Sequence, residues 1–181
     1  TVVTGKGKAR PARDAAGCFC YDPSQDLVKI AVVERHKNTG NVGLGLLRGY
    51  GLKNGAVALS VSHDSHNIIA AGTRDADMAR AVEHLVGIGG GAVLVRDGVV
   101  LADLPLPLGG LMSGLPGEEV AARLTALEET AVKELGVNRD VEPLMSLCFM
   151  SLLVIPELKI SDRGLFDVGN FAFIAPGVSR Q

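Results

Sequence analysis

The sequence predicts an α+β fold in which a mainly antiparallel sheet is covered by two principal helices. Three observations carry this expectation. Short, β-branched apolar runs recur between Leu27 and Ala102 with turn residues between them, only two long segments show helical periodicity, and Asp97-Gly98 sits between two apolar runs as a hairpin signal. With 181 residues, 47% of them hydrophobic and 21% charged, the chain is long enough for one well-buried domain and too apolar for intrinsic disorder.

Residues 1–26, with Gly5, Gly7, Pro11 and Gly17, read as an irregular N-terminal arm, and residues 27–181 as the domain proper. Leu27 to Glu34 is the first strand, because Val28, Ile30, Val32 and Val33 are mostly β-branched. Leu44 to Tyr50 follows as a second strand, and Lys53-Asn54-Gly55 turns the chain into a third, Ala56 to Val61. Ile68 to Ala71 is a fourth, and an antiparallel meander is the economical arrangement.

Thr73 reads as an N-cap, Asp75 and Asp77 suit the positive end of a helix, and Met78, Val82, Leu85 and Val86 share one face. A helix from Arg74 to Val86 follows, ended by the glycines of Gly87 to Gly91. Ala92 to Val95 and Val99 to Ala102 form the hairpin about Asp97-Gly98. The Leu-Pro alternation from Asp103 to Leu111 excludes a central strand and implies an extended connection. Pro116 opens the longest helix, Glu118 to Leu135, with Val120, Leu124, Leu127, Ala131 and Leu135 as its core stripe. Leu144 to Ile155 is apolar enough to be either a buried strand or a buried helix, and Phe171 to Ile174 is a further possible strand.

A formal charge of -2 with scattered Lys and Arg argues against nucleic acid as a partner. The polar, basic start is neither a signal peptide nor a membrane span, and the first residue, Thr1, predicts a processed chain or a piece of a longer one. Three cysteines, Cys18, Cys20 and Cys148, fit free thiols in a reducing cytoplasm. Homo-oligomerisation stays open.

The densest chemistry is Ser62-His63-Asp64-Ser65-His66-Asn67, a loop between two apolar runs. His63, Asp64, Ser65, His66 and Asn67 are the substrate-proximal candidates. Three readings stay open for them: side chains bonding backbone to hold a sharp turn, proton transfer or substrate contact, and metal ligation. Glu34, Arg35 and His36 are secondary candidates, the bland alternative being a solvated strand end with an ion pair. His84 is a surface or boundary residue. No serine has the elbow of a nucleophile. The run Gly87-Ile88-Gly89-Gly90-Gly91 follows a helix and precedes a strand, the reverse of a phosphate cradle, so helix termination is its expected role.

Taken together, Glu34-Arg35-His36, Gly51-Leu52-Lys53-x-Gly55-Ala56, the histidine loop, Gly89-Gly90-Gly91, Leu104-Pro105-Leu106-Pro107-Leu108-x-Gly110-Leu111-Met112 and Gly164-Leu165-Phe166-Asp167-Val168 resemble the C-terminal domain of bacterial and archaeal adenine deaminase. The resemblance implies an amidohydrolase that converts adenine to hypoxanthine and ammonia. It implies a divalent metal, manganese or iron, in a (β/α)-barrel, where a metal-bound water attacks the ring carbon bearing the amine. The barrel's ligand motifs are missing here, so no cofactor is expected in this chain, and the expected partner is a barrel domain or subunit. The alternatives are a non-catalytic interaction module pairing with a separate barrel subunit, or a self-sufficient metal hydrolase built on His63, Asp64 and His66. The histidine loop is expected to face the mouth of the barrel.

Overall fold

The computed structural model describes residues 3–175. A two-residue pairing of β1 (Ala12–Arg13) with β2 (Phe19–Cys20) precedes a six-stranded sheet. Its strands are β3 (Leu27–Val33), β4 (Val42–Arg48), β5 (Ala56–Leu59), β6 (Ile68–Gly72), β7 (Gly91–Arg96) and β8 (Val99–Pro105), in the order β4-β3-β6-β5-β7-β8. Every neighbouring pair is antiparallel.

The order corrects the expected meander. Three hairpins lie side by side, but the middle one is turned so that β6, and not β5, meets β3. Burial explains the choice. A meander would leave β3 on an edge and bury β4, yet β3 is buried along nearly its whole length while Val42, Leu44 and Leu46 of β4 stand exposed. The other edge falls to β8, whose last residue, Pro105, lacks a ladder donor.

One face of the sheet carries α1 (Asp75–Gly87), packed on β5, β6 and β7. Ala31, Ala56, Ala58 and Ala70 floor this contact, so Met78, Ala81 and Leu85 reach the sheet through small side chains. Thr73 is not the N-cap. Arg74 takes that position without a side-chain cap bond, and the Thr73 hydroxyl instead bonds Gly55 across the sheet.

The other face buries Val28, Ile30, Val57, Ile69 and Leu94 under α2 (Gly117–Leu135), α3 (Pro143–Cys148) and a second sheet. That sheet comprises β9 (Leu158–Ser161), β10 (Gly164–Asp167) and β11 (Ala172–Ile174). Leu127, Ala131 and Leu135 of α2 are buried, whereas Leu124 of the expected stripe is exposed, because only the C-terminal half of the helix lies on the core. The ambiguous apolar segment is helical: α3 runs into a 3-10 turn at Phe149–Ser151. Gly43 and Gly45 let the second sheet lie directly on β4, since a Cβ on Gly43 would stand 1.8 Å from the Ser161 carbonyl oxygen. The N-terminal arm docks on the same sheet through a Thr4–Glu157 bridge and a Lys6–Asp167 ion pair.

Candidate functional site

The antiparallel register gathers the ends of six strands. Val33 lies opposite both Val42 and Ile68, Leu59 opposite Ile69 and Ala92, and Gly91 opposite Pro105. Residues that follow β3, link β5 to β6, precede β7 and follow β8 therefore meet at one end. Glu34-Arg35-His36, the histidine loop, Gly89-Gly90-Gly91 and the Leu104 to Met112 segment are thus neighbours in space.

The histidine loop is braced from three sides. From α3 and its 3-10 turn, the Cys148 carbonyl accepts the His63 N–H (3.2 Å), and Phe149 stacks on the His63 ring at 5.0 Å. The Ser151 hydroxyl donates to the His63 carbonyl (2.8 Å) and pairs with the buried Ser62 hydroxyl. From β3, the His36 Nε2–H donates to the Ser65 carbonyl (2.7 Å) and the Arg35 guanidinium donates to the His66 carbonyl. From the second sheet, Asp162 accepts from the amide of Asn67 (3.4 Å), whose own oxygen accepts the Arg35 backbone N–H (3.3 Å).

Ser60 and the glycines before β7 tie in the Leu104 to Met112 segment. The buried Ser60 hydroxyl donates to the Gly110 carbonyl (2.6 Å) and accepts the Gly91 N–H (2.8 Å). Gly90, at φ +106, meets Gly110 so closely that a Cβ there would lie 2.5 Å from the Gly110 Cα. The triple glycine is thus where three segments touch, beyond its role in ending α1.

Glu34, Arg35 and His36 do not form a solvated ion pair. The Glu34 carboxylate accepts the backbone N–H groups of His36, Lys37 (2.7 Å) and Thr39 (3.0 Å), which hold its pKa down at about 2. Arg35 turns inward onto carbonyl oxygens. His36 completes the brace.

His63 and His66 lie side by side, ring centroids 5.9 Å apart and inclined by 54°, with Asp64 Oδ1 3.6 Å from His63 Nδ1. Asp64 and Ser65 are exposed, and the His63 side chain is partly so. His66, at φ 51, keeps its Nδ1 buried without a hydrogen-bond partner among the described residues. Burial, followed by the charges of His63 and Arg35, pushes its pKa below the usual histidine value. A neutral imidazole beside a second imidazole and a carboxylate can accept, donate or relay a proton at neutral pH. These groups do not compose a metal centre: among the described residues no group of three or more His, Cys, Asp or Glu side chains could hold an ion.

Ser60, Phe149, Ser151 and Asp162 were not among the residues singled out by sequence. Ser60 alone carried a signal, as a polar residue inside the apolar run Ala56 to Val61. His84, expected at the surface or a boundary, is partly buried on α1 and bonded to Asp103 of β8 (2.6 Å). No helix among the described residues is long and apolar enough to cross a membrane.

Comparison with known proteins agrees with the resemblance read from the motifs. The family model for the adenine deaminase C-terminal domain matches residues 1–172. Adenine deaminase 2 of Desulfotalea psychrophila is 57% identical over 174 residues, covering 96% of this chain and 30% of the relative. The adenine deaminase of Nitratidesulfovibrio vulgaris is 56% identical over 92% of this chain and 28% of its own length. That of Ligilactobacillus salivarius is 50% identical over 96% and 30%. The chain spans about 30% of the length of these curated relatives. With four of its motifs drawn to one end of an antiparallel sheet and the family model matched almost throughout, the chain belongs to the adenine deaminase C-terminal domain family.

Proposed function

We propose that this domain serves an adenine deaminase by presenting its histidine loop to the mouth of a catalytic barrel, closing the site over the purine. The observation that carries the reading is the convergence of four sequence-distant segments on one sheet end. There Asp64 and Ser65 stand exposed on a braced backbone, with His63 and His66 partly so. Imidazole, carboxylate and hydroxyl groups suit the ring nitrogens and exocyclic amine of adenine, which offer both donors and acceptors. A rigid sheet end can hold such groups to the tolerance that a positioned substrate demands.

In this reading the divalent metal belongs to the barrel, in keeping with the lack of a ligand set among the described residues. The chain alone therefore has no deaminase activity in this reading, and the cytoplasm, which its free thiols favour, is its compartment. The self-sufficient hydrolase is disfavoured on geometry. Asp64 is almost fully exposed, its carboxylate 3.6 Å from His63 Nδ1, and the three side chains do not converge as a ligand set.

The test is His63→Ala and His66→Ala in the complete deaminase that carries this domain. Turnover is expected to fall by a factor on the order of ten to a thousand, with metal content unchanged. Unaltered kinetics alongside a lowered melting temperature would show that the loop only holds a turn.

A further inference from the structure

We infer that Arg35 is a positioning residue that locks the histidine loop and the Leu104 to Met112 segment into one rim. This rests on the reading of the sheet end as the face that meets the substrate. The guanidinium reaches both segments at once. Its Nε–H donates to the His66 carbonyl and its Nη2–H to the Gly109 carbonyl (2.9 Å), while the Arg35 backbone N–H bonds Asn67. Two carbonyl oxygens from segments about forty residues apart thus share one planar, delocalised cation, a geometry that Arg can serve and Lys cannot.

The seat for this group is built by a glycine. Gly110, at φ +76, leaves open the space over which the guanidinium lies, and a Cβ there would stand 2.6 Å from Nη1 and 3.0 Å from Cζ. Below it, Ser60 fixes the Gly110 carbonyl to the end of β5. The Leu104 to Met112 segment is accordingly pinned to the sheet by Ser60 and to the histidine loop by Arg35.

Hydrogen exchange separates this lock from ordinary structural support, because protected amides exist on both sides of it. The His66 N–H bonds the Ser62 carbonyl (2.7 Å) and the Leu108 N–H bonds the Met112 carbonyl (3.0 Å), while the Thr73 N–H bonds Gly55 (3.0 Å) at the opposite end of the sheet. In Arg35→Met, the His66 and Leu108 amides are expected to exchange faster by about tenfold, with the Thr73 amide unchanged. Arg35→Lys should restore protection at one of the two amides and not at both, since one ammonium on that stem reaches a single carbonyl. Uniform acceleration at all three amides, or no acceleration at either loop, would overturn the lock.

The same variants in the complete deaminase are expected to lower kcat more than they raise KM, with Arg35→Lys falling between wild type and Arg35→Met. Loosened loops with unchanged kinetics would leave the lock standing and refute the sheet end as the substrate-facing surface. Loosened loops with the kcat loss support both.

Discussion

The two ends of the six-stranded sheet are built by the same device and left in different states. At the end away from the histidine loop, Gly51 and Gly55 admit close backbone contacts, as Gly90 and Gly91 do at the other. There, however, the polar groups are consumed in holding the fold. Asp26 accepts the N–H groups of Gly49 and Gly51. Asp77, fully buried, takes the Gly98 N–H and a two-bond contact from Arg74, and the Lys53 N–H closes on the C-terminus of α2 at Leu135. At the histidine end, Glu34, Arg35, His36, Asn67, Asp162 and the buried hydroxyls do the holding, largely against backbone groups, and the imidazoles of His63 and His66 and the Asp64 carboxylate are left over. A strand end with spare ionisable groups is the one that can act on something outside itself.

The largest effect that separates the ends is expected from Gly55→Ala. A Cβ at this φ +86 position would lie 2.1 Å from the Val95 carbonyl oxygen, and neither backbone can yield without breaking the β5–β7 ladder. Strain and overpacking together should cost about 2–4 kcal/mol in chemical denaturation. The fraction that still folds should turn over normally in the complete enzyme. A normal denaturation midpoint would show that this end is not the rigid one.

Gly110→Ala is the matching change at the other end and should cost less. Its new Cβ would meet the guanidinium of Arg35, the far end of a flexible side chain, so the neighbour can move aside. About 1–2 kcal/mol is expected, mostly from placing Ala at φ +76. The displaced guanidinium should carry the kinetic penalty of an Arg35 variant. Equal stability losses for the two glycines, with no kinetic difference between them, would erase the distinction between the ends.

Legibility divides along the same line. The Asp97-Gly98 hairpin and the ends of α1 and α2 follow from local turn chemistry and periodicity, which neighbouring residues dictate, whereas β8 runs on to Pro105, into the segment read as an extended connection. The placement of β6 beside β3 is not dictated locally, because it depends on which strands need burial on both faces, a property of the assembled sheet. Thr73 reads as a cap and is instead a cross-strand bond, since the competing partner, Gly55, is distant in sequence. At the site, the histidine loop is visible in composition. Its braces are not: Asp162 and Ser151 are ordinary turn or loop residues until the fold brings them to it.

The smallest effect concerns acid. Glu34 holds the bend from His36 to Thr39 through its carboxylate, and its folded pKa of about 2 lies below the ordinary 4.5. A carboxylate with a depressed pKa stabilises the fold fully above its unfolded value, and that stabilisation disappears as pH falls from about 4.5 through about 2. Asp167, also near 2, titrates in the same window, but it serves the N-terminal arm and the second sheet, so a difference between variants isolates Glu34. Glu34→Gln should lower the melting temperature modestly at neutral pH, and the gap to wild type should shrink as both are acidified through that window. A gap that stays constant with pH would mean that Gln replaces the carboxylate's bonds only in part and equally in every state, and that the charge of Glu34 contributes nothing to holding His36 against the loop.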